Sequence, residues 1–326
     1  MWARHGCDMR GGVVRAVRTV DGAFRVVEVP EPDGDGVLVE VASAGICGSD
    51  LHMAGFGLSG TFGHEVAGRL VDGTSVAVQP TVACGTCDRC SVGAVQQCRS
   101  MVLYGIGRDG GMADRLVVEP SCLVALDDRI PVSDACLVEP IAVSIHAVHV
   151  GGVEAGNRVL VVGGGTIGLT AVAAARYAGA EVDLSAKHPH QVEAGERLGA
   201  GTAATGEYDV VVEAAGTEGA LATAIDRARP GGTVAIPGVY WDGVAVPNVM
   251  SMFLKEVRLQ PSSMYGCSGR HGPNVRETDE AAALLAAVPE LVSAVVTHRF
   301  GLDDAEEAFR VAADRKAGAI KVVLEP

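Results

Sequence analysis

Residues 158–175 read Arg158-Val-Leu-Val-Val162-Gly163-Gly164-Gly165-Thr166-Ile167-Gly168-Leu-Thr-Ala-Val-Ala-Ala-Ala175. The run from Val159 to Ala175 carries no charge. It falls short of the roughly 20 apolar residues that span a bilayer, and four glycines sit at its centre. A buried parallel strand that turns sharply into a helix explains it better. In that context a G-x-G-x-x-G turn brings the helix N-terminus and its free N–H groups up to a pyrophosphate. Gly163, Gly165, Thr166, Ile167 and Gly168 are therefore candidate contacts of a dinucleotide.

Strand-like runs at 158–162, 180–185, 209–213 and 233–237 alternate with Ala-rich helical stretches, as βαβ units do. Upstream the texture differs. Residues 13–41 alternate apolar and polar side chains in short runs around the turn Glu31-Pro-Asp-Gly-Asp-Gly36, and short strands continue through 66–79 and 112–125. The tail from residue 295 reads as strand, helix (302–313) and strand (320–324). Two domains are expected, 1–147 completed by 295–326 and 148–294, with residues 1–8 as a minor extension.

The net charge of −14 disfavours nucleic acid and anionic membranes, both of which need a basic surface. The N-terminus, MWARHGCDMRGG, has no apolar secretory core, so a cytoplasmic location is expected. An odd cysteine count, nine, fits metal ligands and free thiols better than a disulfide framework. Four of the nine, Cys84, Cys87, Cys90 and Cys98, are spaced C-x2-C-x2-C-x7-C, which suits one tetrahedral structural zinc; an iron–sulfur cluster uses the same donors. Cys47 and His64 offer a further thiolate and imidazole, and a catalytic zinc takes three protein ligands.

Taken in order, Gly45-Ile-Cys47-Gly-Ser49-Asp50-Leu-His52, Gly63-His64-Glu65-Val-Ala-Gly68, the cysteine lobe and Leu137-Val-Glu139-Pro140 resemble the zinc-containing medium-chain dehydrogenases. The sorbitol, threonine and glucose dehydrogenase branch is the most similar. The resemblance covers about residues 9–326. It implies an α/β chain with a GroES-like β-rich catalytic domain and a Rossmann doubly wound parallel-sheet domain. The activity it implies is hydride transfer between an alcohol or polyol, or its carbonyl, and a nicotinamide cofactor.

By position, Cys47 and His64 are expected catalytic zinc ligands, with Glu65, Glu139 or both completing the set. Asp50 orients the His64 ring. Ser49 takes the substrate proton and passes it through the nicotinamide ribose to His52. The segment between Cys47 and His64 departs from the common pattern in being short and Gly-rich (54–60), which leaves the substrate pocket's shape open. Two zinc ions, one catalytic and one structural, are implied, together with a homo-oligomer (dimer or tetramer). A quinone-reductase-like zinc-free relative and a non-catalytic zinc- and nucleotide-binding relative are the competing classes; intact Cys47, His64, Glu139 and the cysteine lobe weigh against the first, and intact Ser49, His52 and ligands against the second.

The second strand of the nucleotide fold normally ends in a carboxylate that bonds the adenosine ribose 2′-OH. Here Ala186 takes that position, followed by Lys187 and His188, with His190 beyond. NADP(H) is therefore expected over NAD(H). Further cofactor contacts implied by position are Ala215, Gly216, Gly238, Val239 and Ser262, and Lys321 is expected to approach the pyrophosphate.

Overall fold

A computed structural model describes residues 12–57, 60–268, 275–314 and 316–326. The proposed extension 1–8 and part of the short 54–60 segment lie outside them. The described chain divides into two compact units, residues up to Glu139 with Val296–Pro326, and Pro140–Val295. The expected boundary at 147/148 falls inside a helix, Val138–Val150.

The first unit is β-rich. Strands β1 (Val13–Val20) and β2 (Ala23–Pro30) form an antiparallel hairpin around Asp21-Gly22. A larger, mainly antiparallel sheet is built on β3 (Val37–Ile46), β4 (Glu65–Arg69) and β5 (Ser75–Val78). Short β6 (Thr81–Val82) and β7 (Val102–Leu103) pair across the cysteine lobe. Strand β8 (Arg115–Val118) pairs with β3, and β9 (Leu123–Ala125) with β5. A short helix, α1 (Gly48–Met53), follows β3.

The second unit opens with α2 (Val138–Val150) and continues as β10 (Arg158–Val162), α3 (Thr166–Tyr177), β11 (Glu181–Ser185), α4 (Pro189–Arg197), β12 (Tyr208–Glu213), α5 (Glu218–Arg227) and β13 (Ala228–Ile236). It then runs through α6 (Val249–Lys255), β14 (Arg258–Pro261), the small ribbon β15 (Cys267–Ser268) with β16 (Val275–Arg276), α7 (Glu277–Ala287) and α8 (Glu290–Val295). Five strands lie parallel in the order β11-β10-β12-β13-β14. Valines and alanines fill the space between sheet and helices: Val159, Val161, Val211, Val212, Ala224 and Ala235 are fully buried. The order reverses between β10 and β12, and in such sheets ligands bind at the carboxyl ends of the strands beside that switch point.

The chain then returns to the first unit. Strand β17 (Val296–Gly301) runs parallel to β18 (Lys321–Glu325), which pairs antiparallel with β3. Between them α9 (Ala305–Ala313) seats Phe309 face to face with Phe24 at 3.5 Å between ring centres. Three strongly exposed apolar side chains gather on α6, where Met250, Phe253 and Leu254 are each about 70% exposed (68%, 72% and 72%). No helix among the described residues is long and apolar enough to cross a membrane.

Candidate active site

The lobe cysteines converge. The Sγ atoms of Cys84, Cys87, Cys90 and Cys98 lie within 4.8 Å of one another, with Cys87–Cys90 at 3.6 Å and Cys84–Cys90 at 4.0 Å. A disulfide needs ~2.05 Å. Four thiolates around one zinc at ~2.3 Å sit roughly 3.8 Å apart, which is the spacing here. Backbone N–H groups of Thr86 and Cys87 stabilise the thiolate of Cys84 and hold its pKa down to about 6. The donor set fits zinc and leaves no open position. Cys84→Ser is expected to remove about one zinc equivalent and lower Tm by more than about 5 °C. Elemental analysis and thermal denaturation read both; if neither changes, the lobe is not a zinc site.

A second convergence lies at the start of α1. Cys47 is its N-cap, and the Asp50 carboxylate accepts the Cys47 N–H at 2.9 Å. The strand β4 begins beside it, after a tight turn at Gly63 (φ +103°), where an added Cβ would meet the Met112 backbone at 2.6 Å. That turn delivers His64 and Glu65. Cys47, His64 and Glu65 each bring a ligand atom within 4.8 Å of the others. The His64 ring stands with Nδ1 3.4 Å from Asp50 Oδ1, close but not aligned for a hydrogen bond, and Nε2 3.4 Å from Ser49 Oγ. Burial disfavours the charged imidazole, yet Asp50 and Cys47 outweigh it and raise its pKa well above the ordinary value.

The position of Lys321 corrects one expectation. Its ammonium donates to both Glu65 oxygens at 2.6 Å and to the Ile46 carbonyl at 2.9 Å, and the residue is 2% exposed. A cation so committed is not available to a pyrophosphate. In the protonation state that metal ligation requires, with His64 neutral and Cys47 a thiolate, Cys47, Asp50 and Glu65 carry three negative charges and Lys321 one positive. The remaining two negative charges in a buried space match one divalent cation. Glu139, in the first turn of α2, is buried but lies outside the 4.8 Å cluster. His52 is exposed on α1, one helical turn beyond Ser49.

In the second unit the turn after β10 has the expected form. A Cβ at Gly168 would lie 1.9 Å from the Gly163 carbonyl, so only glycine lets α3 pack this close to the strand, while at Gly165 nothing lies within 4 Å. Thr166 and Ile167 open α3. Ala186 follows β11 directly, with Lys187 and the N-cap of α4, His188, after it; His188 and His190 stack at 5.6 Å. The acidic residue of that strand, Asp183, is turned away to accept the Tyr208 hydroxyl at 2.7 Å. Ala215 and Gly216 follow β12, and Gly238 and Val239 follow β13. Sequence reasoning missed what joins these two loops. The buried Glu213 carboxylate accepts N–H groups of Ala215 (2.9 Å) and Gly216 (3.0 Å) and the Tyr240 hydroxyl (2.6 Å). Ser262 follows β14 with its hydroxyl buried and unbonded within the described protein.

Comparison with known proteins agrees with this geometry. The family model of the alcohol dehydrogenase GroES-like domain matches residues 33–128, and that of the glucose dehydrogenase C-terminus matches 133–325. L-arabinitol 4-dehydrogenase of Aureobasidium melanogenum is 30% identical over 89% of this chain and 87% of its own. A zinc-binding dehydrogenase of Sinorhizobium meliloti solved with NADP superposes with a TM-score of 0.84 at 30% identity, covering 97% of this chain and 100% of that one. L-idonate 5-dehydrogenase of Escherichia coli gives a TM-score of 0.84 at 28% identity, covering 96% and 98%. The chain belongs to the zinc-containing medium-chain dehydrogenase family and is an enzyme of the alcohol dehydrogenase type.

Proposed function

We propose that this chain is a zinc-dependent polyol dehydrogenase that moves a hydride between an alcohol carbon and NADP(H). The first unit carries the metal chemistry and the second unit the dinucleotide. The observation that carries this reading is the convergence of Cys47, His64 and Glu65, whose ligand atoms lie within 4.8 Å of one another in a largely buried cluster. Cys47 and His64 would hold the metal, with Glu65 or Glu139 as the carboxylate. Zinc there supplies Lewis-acid polarisation of the substrate oxygen. Ser49, whose Oγ lies 3.4 Å from His64 Nε2, takes the alcohol proton in this reading. His52 lies three residues on, on the same side of α1, and exchanges the proton with solvent. The NADP-bound relative and the family of polyol enzymes support the cofactor and substrate class. Metal analysis combined with NADP+ and NAD+ reduction across a panel of alcohols and polyols tests the reading; a metal-replete chain that reduces neither cofactor with any of them would overturn it.

A homo-oligomer is part of this proposal. Strand β14 ends the five-stranded sheet with an edge that pairs with no strand among the described residues, and the apolar face of α6 precedes it in the chain. A second copy related by a two-fold axis would satisfy both with one self-complementary contact. Sedimentation at micromolar concentration is expected to show a dimer or larger, and Phe253→Glu with Leu254→Glu should shift it to monomer; a monomeric wild type would refute the interface.

A further inference from the structure

Gln191 has no assigned role. It lies in the first turn of α4, its N–H bonded to the His188 carbonyl at 3.0 Å. Its side chain folds back over the glycine turn of the nucleotide site. If Gly164 carried a Cβ, that atom would stand 2.6 Å from Gln191 Cβ, 2.8 Å from Ala186 Cβ and 3.1 Å from Gln191 Oε1. Thus Gln191 and Ala186 close on the same face of Gly164, at the end of β11. Gln191 is half-buried, and its side-chain amide makes no hydrogen bond to any described residue. A half-buried amide without a partner is costly unless a ligand or water completes it.

The chemistry of that corner narrows the ligand. The end of the second strand is where the adenosine ribose 2′ position sits in such folds. No carboxylate reads it here, because Ala186 is apolar and Asp183 is held by Tyr208. A carboxamide has two donors and one acceptor. It can donate to a 2′-phosphate, which a carboxylate would repel, or accept from a 2′-hydroxyl.

We infer that Gln191 is a cofactor-contacting residue that reads the 2′ position of the adenosine ribose, donating its amide to the 2′-phosphate of NADP(H). It works beside Lys187, which contributes charge, whereas Gln191 contributes direction. This rests on the dehydrogenase reading given above. It also accounts for a third glycine in a motif that requires none at its second position: any side chain at 164 would displace Gln191.

The test is direct binding, read by the fluorescence of bound NADPH and NADH on the zinc-loaded wild type, Gln191→Ala and Gln191→Glu. Gln191→Ala should weaken NADPH roughly tenfold and NADH less than about threefold, as expected for one hydrogen bond to a charged group. Gln191→Glu should weaken NADPH by at least about thirtyfold and leave NADH unchanged or tighter, because the new carboxylate repels phosphate and accepts the ribose hydroxyl. The side chain bonds no other described residue, so Tm should stay within about 2 °C of wild type. Unchanged affinities in Gln191→Ala, or equal losses for both nucleotides, would overturn the inference while leaving the dehydrogenase reading intact. A wild type that binds neither nucleotide would overturn both.

Discussion

Replacing Cys47 or His64 by alanine is expected to lower kcat/KM by at least about 10³-fold while the nucleotide still binds. Each substitution removes one ligand atom from the cluster and leaves a hole that water must fill. Polarisation of the substrate oxygen contributes several kcal/mol to lowering the barrier, and each ~1.4 kcal/mol is a factor of ten in rate. The proposed dinucleotide contacts follow β10 to β14 in the other unit, so the affinity for NADPH should stay within a few-fold of wild type. His52→Ala is the informative contrast. It removes a proton exit that water can partly replace, so its rate should fall only about 10- to 100-fold. Steady-state kinetics with matched zinc analysis decide the matter. Wild-type rates in either ligand variant would remove the metal from the mechanism.

The second large effect concerns the cofactor. Wild type should favour NADP(H), and Ala186→Asp should reverse that preference, changing the ratio of kcat/KM values by at least about 10²-fold. Two contributions act in the same direction. The new carboxylate repels a 2′-phosphate held by Lys187, and it accepts a hydrogen bond from a 2′-hydroxyl, each worth about 1.5–3 kcal/mol for a charged group. Asp183 cannot already play this part, because it faces Tyr208 and Arg158 rather than the strand end. The protein's overall negative charge matters less than Lys187 itself, since screening acts over about 8–10 Å. A wild type that favours NAD(H) tenfold would mean that the 2′ position is read elsewhere than at 186.

The parallel-sheet unit was the more legible of the two because its strands are local and apolar. Arg158–Val162 was read at its true ends, and the second and third strands to within one residue. Where reading failed, local composition pointed the wrong way. Arg229-Pro-Gly-Gly232 has the composition of a turn, yet the backbone stays extended and β13 starts at Ala228, with a register irregularity opposite Tyr208. The helix expected over 302–313 opens with a separate 3-10 turn at Leu302–Asp304. In the site, the ligand types were visible from the Cys47 and His64 motifs, whereas the partner of Glu65 was not. A lysine in the run Ile320-Lys-Val-Val-Leu324 shares the inward face with Val323, which hints at burial. Which anion it meets depends on a pairing between β18 and β3 that no local pattern encodes.

That pairing also orders the assembly of the molecule. Lys321 and Glu65 stand 256 residues apart in sequence, and β18 lies between β17 and β3 in the sheet. The Pro140–Val295 unit is a continuous stretch, so during synthesis it has all its contacts before the earlier-made β-rich unit has its own. Until Lys321 has been translated, the Glu65 carboxylate lacks its counter-charge and β3 keeps a bare edge. The β-rich unit therefore completes its sheet only after β18 has been made, and until then the β3 segment that pairs with β18 is an exposed edge.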